Sequence, residues 1–159
     1  SRRTVASNRL ITIFSPGGIQ AVRFEDLAAP GMARIAIGNP RTVPAGRYAR
    51  EALKSAGLWD RLQDRLVYAE NVRQVVEYVA RGDVDAGMVY LTDAGLFDDR
   101  IVTGPEPDAG SYSPILYQAA ILNESTAQGA AEALLEKLLT PAGRQQFLRY
   151  GFNAPVQAP

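Results

Sequence analysis

The sequence has no cysteine and no histidine among its 159 residues. Disulfide bonds, thiolate nucleophiles, zinc sites with Cys or His ligands and Ser-His-Asp triads are therefore excluded. No paired-carboxylate motif replaces them, so an enzyme is the least favoured class. No apolar run reaches the length of a transmembrane helix. The start at Ser1-Arg2-Arg3, without Met or a signal peptide, indicates a mature form or a fragment.

The chain also lacks an excess of either charge. Lys plus Arg and Asp plus Glu both number 17, so the formal net charge is zero. This balance argues against a nucleic-acid binder that relies on a broad basic field. A site for an anion would have to use local dipoles instead of net charge.

What the chain does have is an alternation of strand and helix patterns. Hydrophobic residues make up 47% of the sequence, as in ordinary globular domains. Strands are predicted at 9–14, 34–37, 65–68, 85–91, 101–102 and 113–122, and helices at 44–56, 71–81, 126–139 and 141–151. This alternation predicts an α/β sheet dominated by parallel strands. Such sheets bind ligands beyond the carboxyl ends of their strands.

Three hydrogen-bond donors are predicted at that edge of the sheet. Ala45 and Val72 lie in the opening turns of helices, where a backbone N–H has no partner within the helix. Together with the positive end of the helix dipole, such N–H groups form an anion site. Tyr90 adds a hydroxyl where a strand ends. The alternative is that Ala45 and Val72 are ordinary helix starts and that Tyr90 is a core or rim residue.

The charged residues near these donors are interpreted as structural or solvated residues rather than as parts of a site. Arg47 and Arg73 are interpreted as solvated arginines on helix faces rather than as anion clamps. Asp93 could be a catalytic acid, but Thr92-Asp93 is interpreted as a helix cap. No metal site is predicted from these residues.

Two motifs, Val43-Pro44-Ala45-Gly46 and Glu70-Asn71-Val72-Arg73, stand out by their order and spacing. Through them the chain resembles the periplasmic molybdate-binding proteins of bacterial ABC importers, and this resemblance implies no metal other than the molybdenum of a bound molybdate. The other matching stretches are Ala6-Ser7-Asn8-Arg9-Leu10, Ile35-Ala36-Ile37-Gly38-Asn39-Pro40, Gly87-Met88-Val89-Tyr90, Asp93-Ala94 and Tyr150-Gly151-Phe152.

The resemblance implies a type II periplasmic-binding-protein fold with two lobes. Residues 1–104 would form the second, ligand-binding lobe, 105–112 a crossover, and 113–159 a return segment of the first lobe. The family's donors map to Ala45, Val72 and Tyr90, whereas the two serines of its first lobe have no counterpart. Most of the first lobe would then lie outside this sequence. An uncovered apolar face on the 113–122 strand and the 126–139 helix would favour self-association.

The expected function is the solute-binding component of an importer for molybdate or tungstate. It would bind the oxyanion without chemistry and without a cofactor, deliver it to a membrane permease, and act in the periplasm or another extracytoplasmic space. A partnership with nucleic acid is not expected. The alternative is the effector-binding domain of a transcription regulator with the same two-lobe fold.

Overall fold

Residues 2–155 are described in a computed structural model of the chain. They form two compact units, of which the larger is Arg9–Ser113 and the smaller consists of the described parts of Ser1–Asn8 and Pro114–Pro159. The strands are β1 (Arg2–Asn8), β2 (Leu10–Phe14), β3 (Ile35–Gly38), β4 (Leu66–Ala69), β5 (Ala86–Tyr90), β6 (Val102–Thr103) and β7 (Ile115–Ala120). The α-helices are α1 (Pro44–Ser55), α2 (Trp59–Leu62), α3 (Val72–Ala80), α4 (Leu91–Leu96), α5 (Gln128–Leu139) and α6 (Pro141–Arg149), and 3₁₀ turns occupy Phe24–Ala28 and Gln63–Arg65.

The sheet of the larger unit is mixed but mostly parallel. Its strand order is β4-β3-β5-β2-β6. Strand β3 runs parallel to both β4 and β5, whereas β2 runs antiparallel to β5 and to β6. Four of the five strands therefore point the same way, and β2 is the exception. The predicted α/β class with a parallel-dominated sheet is confirmed.

Helices cover both faces of this sheet. Val75, Val76 and Val79 of α3 pack in one apolar cluster with Ile11, Ile13, Ala36 and Val89 of the strands. Because side chains alternate along a strand, the fully buried Ile35 and Ile37 point to the opposite face, where α1 contacts the same strands. The inner strands β2, β3 and β5 are thus buried on both sides, as their nearly continuous apolar sequences require.

The smaller unit is built on one antiparallel strand pair. Strand β1 pairs with β7, from Arg2 opposite Ala120 to Asn8 opposite Ile115, with a register shift between Thr4 and Ala6. Ser7 also exchanges backbone hydrogen bonds of 3.1 and 2.8 Å with Asn153. Among residues 2–155, no helix is long and apolar enough to cross a membrane.

Two expectations differ from the structure. Residues 2–8, expected in the ligand-binding lobe, form a strand that pairs with β7 and so group with the smaller unit, while 105–112 lie within the larger one. The predicted cap at Thr92-Asp93 was wrong, because the helix begins at Leu91 and Tyr90 is its N-cap residue. Strand β5 runs directly into α4, which leaves no separate turn for the predicted cap.

Candidate oxyanion site

Ala45 occupies the first turn of α1, immediately beyond the loop that follows β3. Pro44 is the first helical residue and has no N–H, so Ala45 carries the first N–H of the helix. The N–H groups of Gly46 and Arg47 both donate to the Val43 carbonyl oxygen, at 3.0 and 3.2 Å. The Ala45 N–H finds no acceptor within the part of the chain that the structure describes. Ala45 is nevertheless only 1% exposed.

The loop before α1 is held by Asn39. Its side-chain oxygen accepts from the Arg41 N–H at 3.0 Å, and its carbonyl oxygen accepts from Thr42 and Val43 at 3.1 and 2.8 Å. The Asn39 N–H in turn donates to the Ala69 carbonyl oxygen, the last residue of β4, at 2.8 Å. Asn39 therefore fixes the start of α1 relative to the ends of two parallel strands.

Two glycines let the start of α1 sit directly on the end of β3. A Cβ at Gly46 would overlap the backbone carbonyl of Gly38, and one at Gly38 would lie 2.6 Å from Val43 Cγ1. Real Cβ atoms do not approach another heavy atom this closely, so both positions require glycine unless the neighbouring atoms shift. The absence of both side chains keeps the Ala45 N–H next to the carboxyl edge of the sheet.

Val72 is the first residue of α3, three residues after the end of β4. Asn71 caps this helix, since its Oδ1 accepts from the Gln74 N–H at 2.9 Å. Gln74 Oε1 accepts from the Glu70 N–H at 2.7 Å, which ties the preceding turn to the helix. The Val72 N–H makes no hydrogen bond among residues 2–155. Both predicted backbone donors are therefore available in the structure.

Tyr90 ends β5 and is half-buried. Its backbone lies opposite Leu10 of β2, and the next N–H, of Leu91, donates to the Arg9 carbonyl oxygen at 2.9 Å. As the N-cap residue of α4 it makes no side-chain cap bond to that helix. The phenol is thus carried at the end of a central strand, as the sequence predicted.

The topology brings the three donors to one edge of the sheet. Strands β4, β3 and β5 are neighbours and parallel, so their carboxyl ends meet at the same edge. Ala45 lies beyond the end of β3, the middle strand of these three. Val72 lies beyond the end of β4, and Tyr90 lies at the end of β5. Neighbouring strands are about 4.8 Å apart, so the ends of β4 and β5 lie roughly 10 Å apart with the end of β3 between them. The role of the three donors in binding stays a prediction.

The two arginines next to these donors in sequence lie exposed at the protein surface. Arg47 is exposed, and its guanidinium lies 5.2 Å from the centre of the Tyr48 ring. With Arg41 it borders a shallow pocket of about 90 Å³ at the start of α1. Arg73 is exposed on the first turn of α3. These positions fit the interpretation of Arg47 and Arg73 as solvated arginines.

Asp93 lies in the first turn of α4, three residues after Tyr90. Partial burial raises the pKa of its carboxyl, and its own backbone N–H and the charge of Arg73 oppose that rise. No group of three or more His, Cys, Asp or Glu that could hold a metal ion occurs among residues 2–155. The donor set at this edge is thus suited to an anion rather than a cation.

Sequence reasoning missed the residues that support the donors. Neither Asn39 nor Gln74 is predicted to have a role at the site. The Gly38-Asn39-Pro40 stretch carried a detectable signal, because Asn and Pro after a buried strand favour a turn in which Asn bonds the backbone. The contact between Gly38 and Gly46 carried none, because it depends on how α1 packs on the sheet.

Comparison with known proteins agrees with this architecture. A family model described as bacterial extracellular solute-binding protein matches residues 1–153. The chain belongs to this family. Its members include solute-binding components of transport systems, and the comparisons do not favour the effector domain of a transcription regulator.

Relatives with assigned names are considerably longer than this chain. The chain is 36% identical over 154 residues to the lipoprotein YvgL of Bacillus subtilis, named as an ABC transporter substrate-binding protein, with 97% of this chain and 58% of YvgL covered. It is 31% identical over 160 residues to the molybdate-binding protein ModA of Escherichia coli, covering 96% of this chain and 61% of ModA. The chain thus spans about three fifths of these relatives.

Solved structures show the same fold. The substrate-binding domain assigned to a molybdenum ABC transporter of Clostridium difficile superposes with a TM-score of 0.88 at 31% identity, covering 98% of this chain and 67% of that one. The periplasmic molybdate-binding protein of Azotobacter vinelandii superposes with a TM-score of 0.74 at 29% identity, covering 98% and 69%. The fold is therefore that of a type II periplasmic binding protein, as predicted.

Proposed function

We propose that this chain is the oxyanion-binding part of an ABC importer's solute-binding component, and that its ligand is molybdate or tungstate. The observation that carries the proposal is the N–H of Ala45, which has no acceptor among residues 2–155 although the residue is almost fully buried. A buried N–H without a partner is rare in proteins and calls for an explanation. At a helix N-terminus an anion supplies one.

The chemistry of the donors favours an anion without protons. The Ala45 and Val72 N–H groups and the Tyr90 hydroxyl can all donate. Hydrogen phosphate carries a proton at neutral pH, and in a site of donors alone this proton lacks an acceptor, which costs about 1–3 kcal/mol. Molybdate and tungstate are proton-free dianions and avoid that cost. Sulfate is also proton-free, so only its size can exclude it.

The resulting mechanism is capture and release without covalent change. The dianion exchanges its water shell for neutral donors, with helix dipoles supplying the opposing partial charge. Neutral donors also make release easier than a clamp of buried arginines would. No cofactor takes part in this proposal. The relatives named for ABC transport support the further proposal that the loaded protein docks on a membrane permease from the periplasmic or extracytoplasmic side.

Titration of the ¹⁵N-labelled chain with molybdate tests the site directly. The amide signals of Ala45 and Val72 should shift together as molybdate rises through the millimolar range, while the amide of Gly129, in the smaller unit, serves as the unaffected reference. Phosphate at equal concentration should cause much smaller shifts. Equal responses to the two anions, or molybdate shifts confined to other amides, would refute the proposal.

Tyr90→Phe tests the third donor. Loss of one hydrogen bond to a charged group should weaken molybdate binding by about 1.5–3 kcal/mol, which is roughly tenfold or more. Tyr68→Phe is the matched control, because Tyr68 is also a strand tyrosine but is 49% exposed on β4 at the edge of the sheet. An unchanged affinity in Tyr90→Phe would remove Tyr90 from the site and leave the two backbone donors.

A further inference from the structure

One carboxylate beside the proposed oxyanion site takes no part in its donor set. Asp93 lies in the first turn of α4, three residues after Tyr90, and is half-buried. Burial removes water from this carboxylate and is the main reason that its pKa lies above the ordinary value of 3.8. Because the burial is only partial, the group is ionised at neutral pH. An ionised acid next to a site for an anion calls for an explanation.

Packing between α3 and α4 brings Asp93 close to a second donor. Val72, the first residue of α3, packs against the same apolar cluster as Leu91, and Ala94 is a buried member of that cluster. Arg73, the residue after Val72, acts on the Asp93 carboxylate through its positive charge and thereby opposes the rise in pKa. Asp93 is therefore near the start of α3 as well as the end of β5.

Arg73 is the main countercharge that faces this carboxylate in the part of the chain that the structure describes. Helix α4 packs on β2, β5 and α3, and β2 carries no ionisable side chain. The ionisable residues of the other two elements are Tyr90 on β5 and Arg73, Glu77 and Tyr78 on α3. Phenols are neutral at neutral pH, and Glu77 is held by Arg100. Since Arg73 is exposed, water and salt screen much of its effect on Asp93.

We propose that Asp93 is a charge-tuning residue of the oxyanion site, by which we mean a residue that changes the affinity for the anion through its own charge. The ionised carboxylate repels a bound anion, lowers the affinity and reduces the preference for dianions over monoanions of the same shape. This inference rests on the proposed function, because it takes the anion to lie at the Ala45 and Val72 N–H groups.

The dependence on ligand charge follows from Coulomb's law. Repulsion between Asp93 and a bound anion grows with the charge of the anion, so a dianion is repelled about twice as strongly as a monoanion at the same position. Partial burial keeps water from screening this repulsion completely. The carboxylate therefore acts against the same negative charge that the helix dipoles at the site favour.

The alternative is that Asp93 only stabilises α4. An acidic residue in the first turn of a helix interacts favourably with the helix dipole, and Asp93 occupies that turn. In this role the side chain would affect every anion at the site alike. The proposed role predicts an effect that depends on the charge of the ligand. Two anions of one shape but different charge therefore separate the two roles.

Molybdate and perrhenate provide this comparison, because both are tetrahedral and proton-free at neutral pH but the first is a dianion and the second a monoanion. Each is titrated into the ¹⁵N-labelled chain at constant, low ionic strength, and the Ala45 and Val72 amides report the binding. Asp93→Asn should strengthen molybdate binding by about threefold or more, and perrhenate binding by about the square root of that factor. Added salt should reduce both gains.

Three further variants complete the test. Asp93→Glu keeps the charge and should retain the wild-type ratio of the two affinities. Asp98→Asn removes the same charge from an exposed residue and should leave both affinities unchanged. Asp93→Ser repeats the measurement with a second neutral side chain if Asp93→Asn does not fold.

Several results would overturn the inference. They are equal gains for the two anions, no gain in the neutral variants of Asp93, and the same gain in Asp98→Asn. If the amides of Ala45 and Val72 respond to molybdate in the wild type but the neutral variants bind with unchanged affinity, this inference alone fails. If those amides respond in neither protein, the proposed function fails and this inference fails with it.

Discussion

Two glycines determine how closely α1 approaches the end of β3. A methyl group at Gly46 would overlap the carbonyl of Gly38, which belongs to the central strand of the parallel part of the sheet. A backbone carbonyl in a central strand cannot move without disturbing its neighbours on both sides. The first turn of α1, with the Ala45 N–H, would have to move instead.

Gly46→Ala should therefore lower the free energy of unfolding by about 1–3 kcal/mol or more, the cost of overpacking a closely packed contact. Urea unfolding followed by circular dichroism measures the change. Gly95→Ala is the matched control: nothing lies within 4 Å of a Cβ built at Gly95 in α4, so this variant should be as stable as the wild type or slightly more stable. Equal stability of the two variants would contradict the packing argument.

At the residue scale, the sequence predicts which backbone N–H groups can donate better than it predicts the residues that hold those groups in place. That the Ala45 and Val72 N–H groups lack helical partners follows from local rules, because Pro44 and Asn71 mark helix starts. Whether those groups converge on one ion depends on tertiary packing, which the sequence does not encode locally. The same limit explains why Gly46 received no packing role from the sequence.

At the element scale, the structure adds an ion pair that joins α3 to the segment after α4. Arg100 donates to both carboxylate oxygens of Glu77 at 2.8 Å. This hydrogen bonding is the main reason that the pKa of Glu77 lies below its ordinary value of 4.5. A lowered pKa in the folded state means that the pair stabilises the fold above pH 4.5 and that this stability disappears as pH falls through the lowered pKa.

The difference in the free energy of unfolding between wild type and Glu77→Gln should depend on pH in the same way. It should be present at pH 7, shrink below pH 4.5 and vanish in more acidic solution, and it should decrease with added salt because both side chains are 39% exposed. Urea titrations across this pH range measure it. Glu136→Gln, at an exposed position of α5, should show no such dependence. A difference that persists in acid would show that the ionised pair is not its cause.

The elements that the sequence predicted well are those with local end signals. Pro44 begins α1, Asn71 caps α3, and Gly57 and Gly82 lie in the left-handed conformation just beyond the two helices. Strand β1 was missed because Arg2 and Arg3 interrupt any apolar alternation. Its partner β7 lies more than 100 residues away, so no local pattern could predict the pairing.

At the scale of the whole molecule, the same distant pairing explains the misplaced domain boundary. The family resemblance placed residues 1–104 together, whereas β1 belongs to the smaller unit. The assignment of the two units to a ligand-binding lobe and a return segment stays a prediction. Self-association through the exposed apolar residues of α5 and β7 also stays a prediction.

The last prediction concerns the affinity of this chain by itself. Three hydrogen bonds to a dianion contribute about 1.5–3 kcal/mol each, or roughly 5–9 kcal/mol together. Loss of translational and rotational freedom on association costs an estimated 4–15 kcal/mol. With a formal charge of zero, the chain offers no general attraction to offset that cost.

Molybdate should therefore bind this chain no more tightly than about millimolar, which corresponds to about −4 kcal/mol. Equilibrium dialysis with labelled molybdate measures the affinity, and the uptake that remains in an excess of unlabelled molybdate gives the non-specific baseline. Micromolar binding by the monomeric chain would mean that residues other than Ala45, Val72 and Tyr90 supply further donors. In that case the energetic account of a site with three neutral donors would be wrong, even if the ligand is correct.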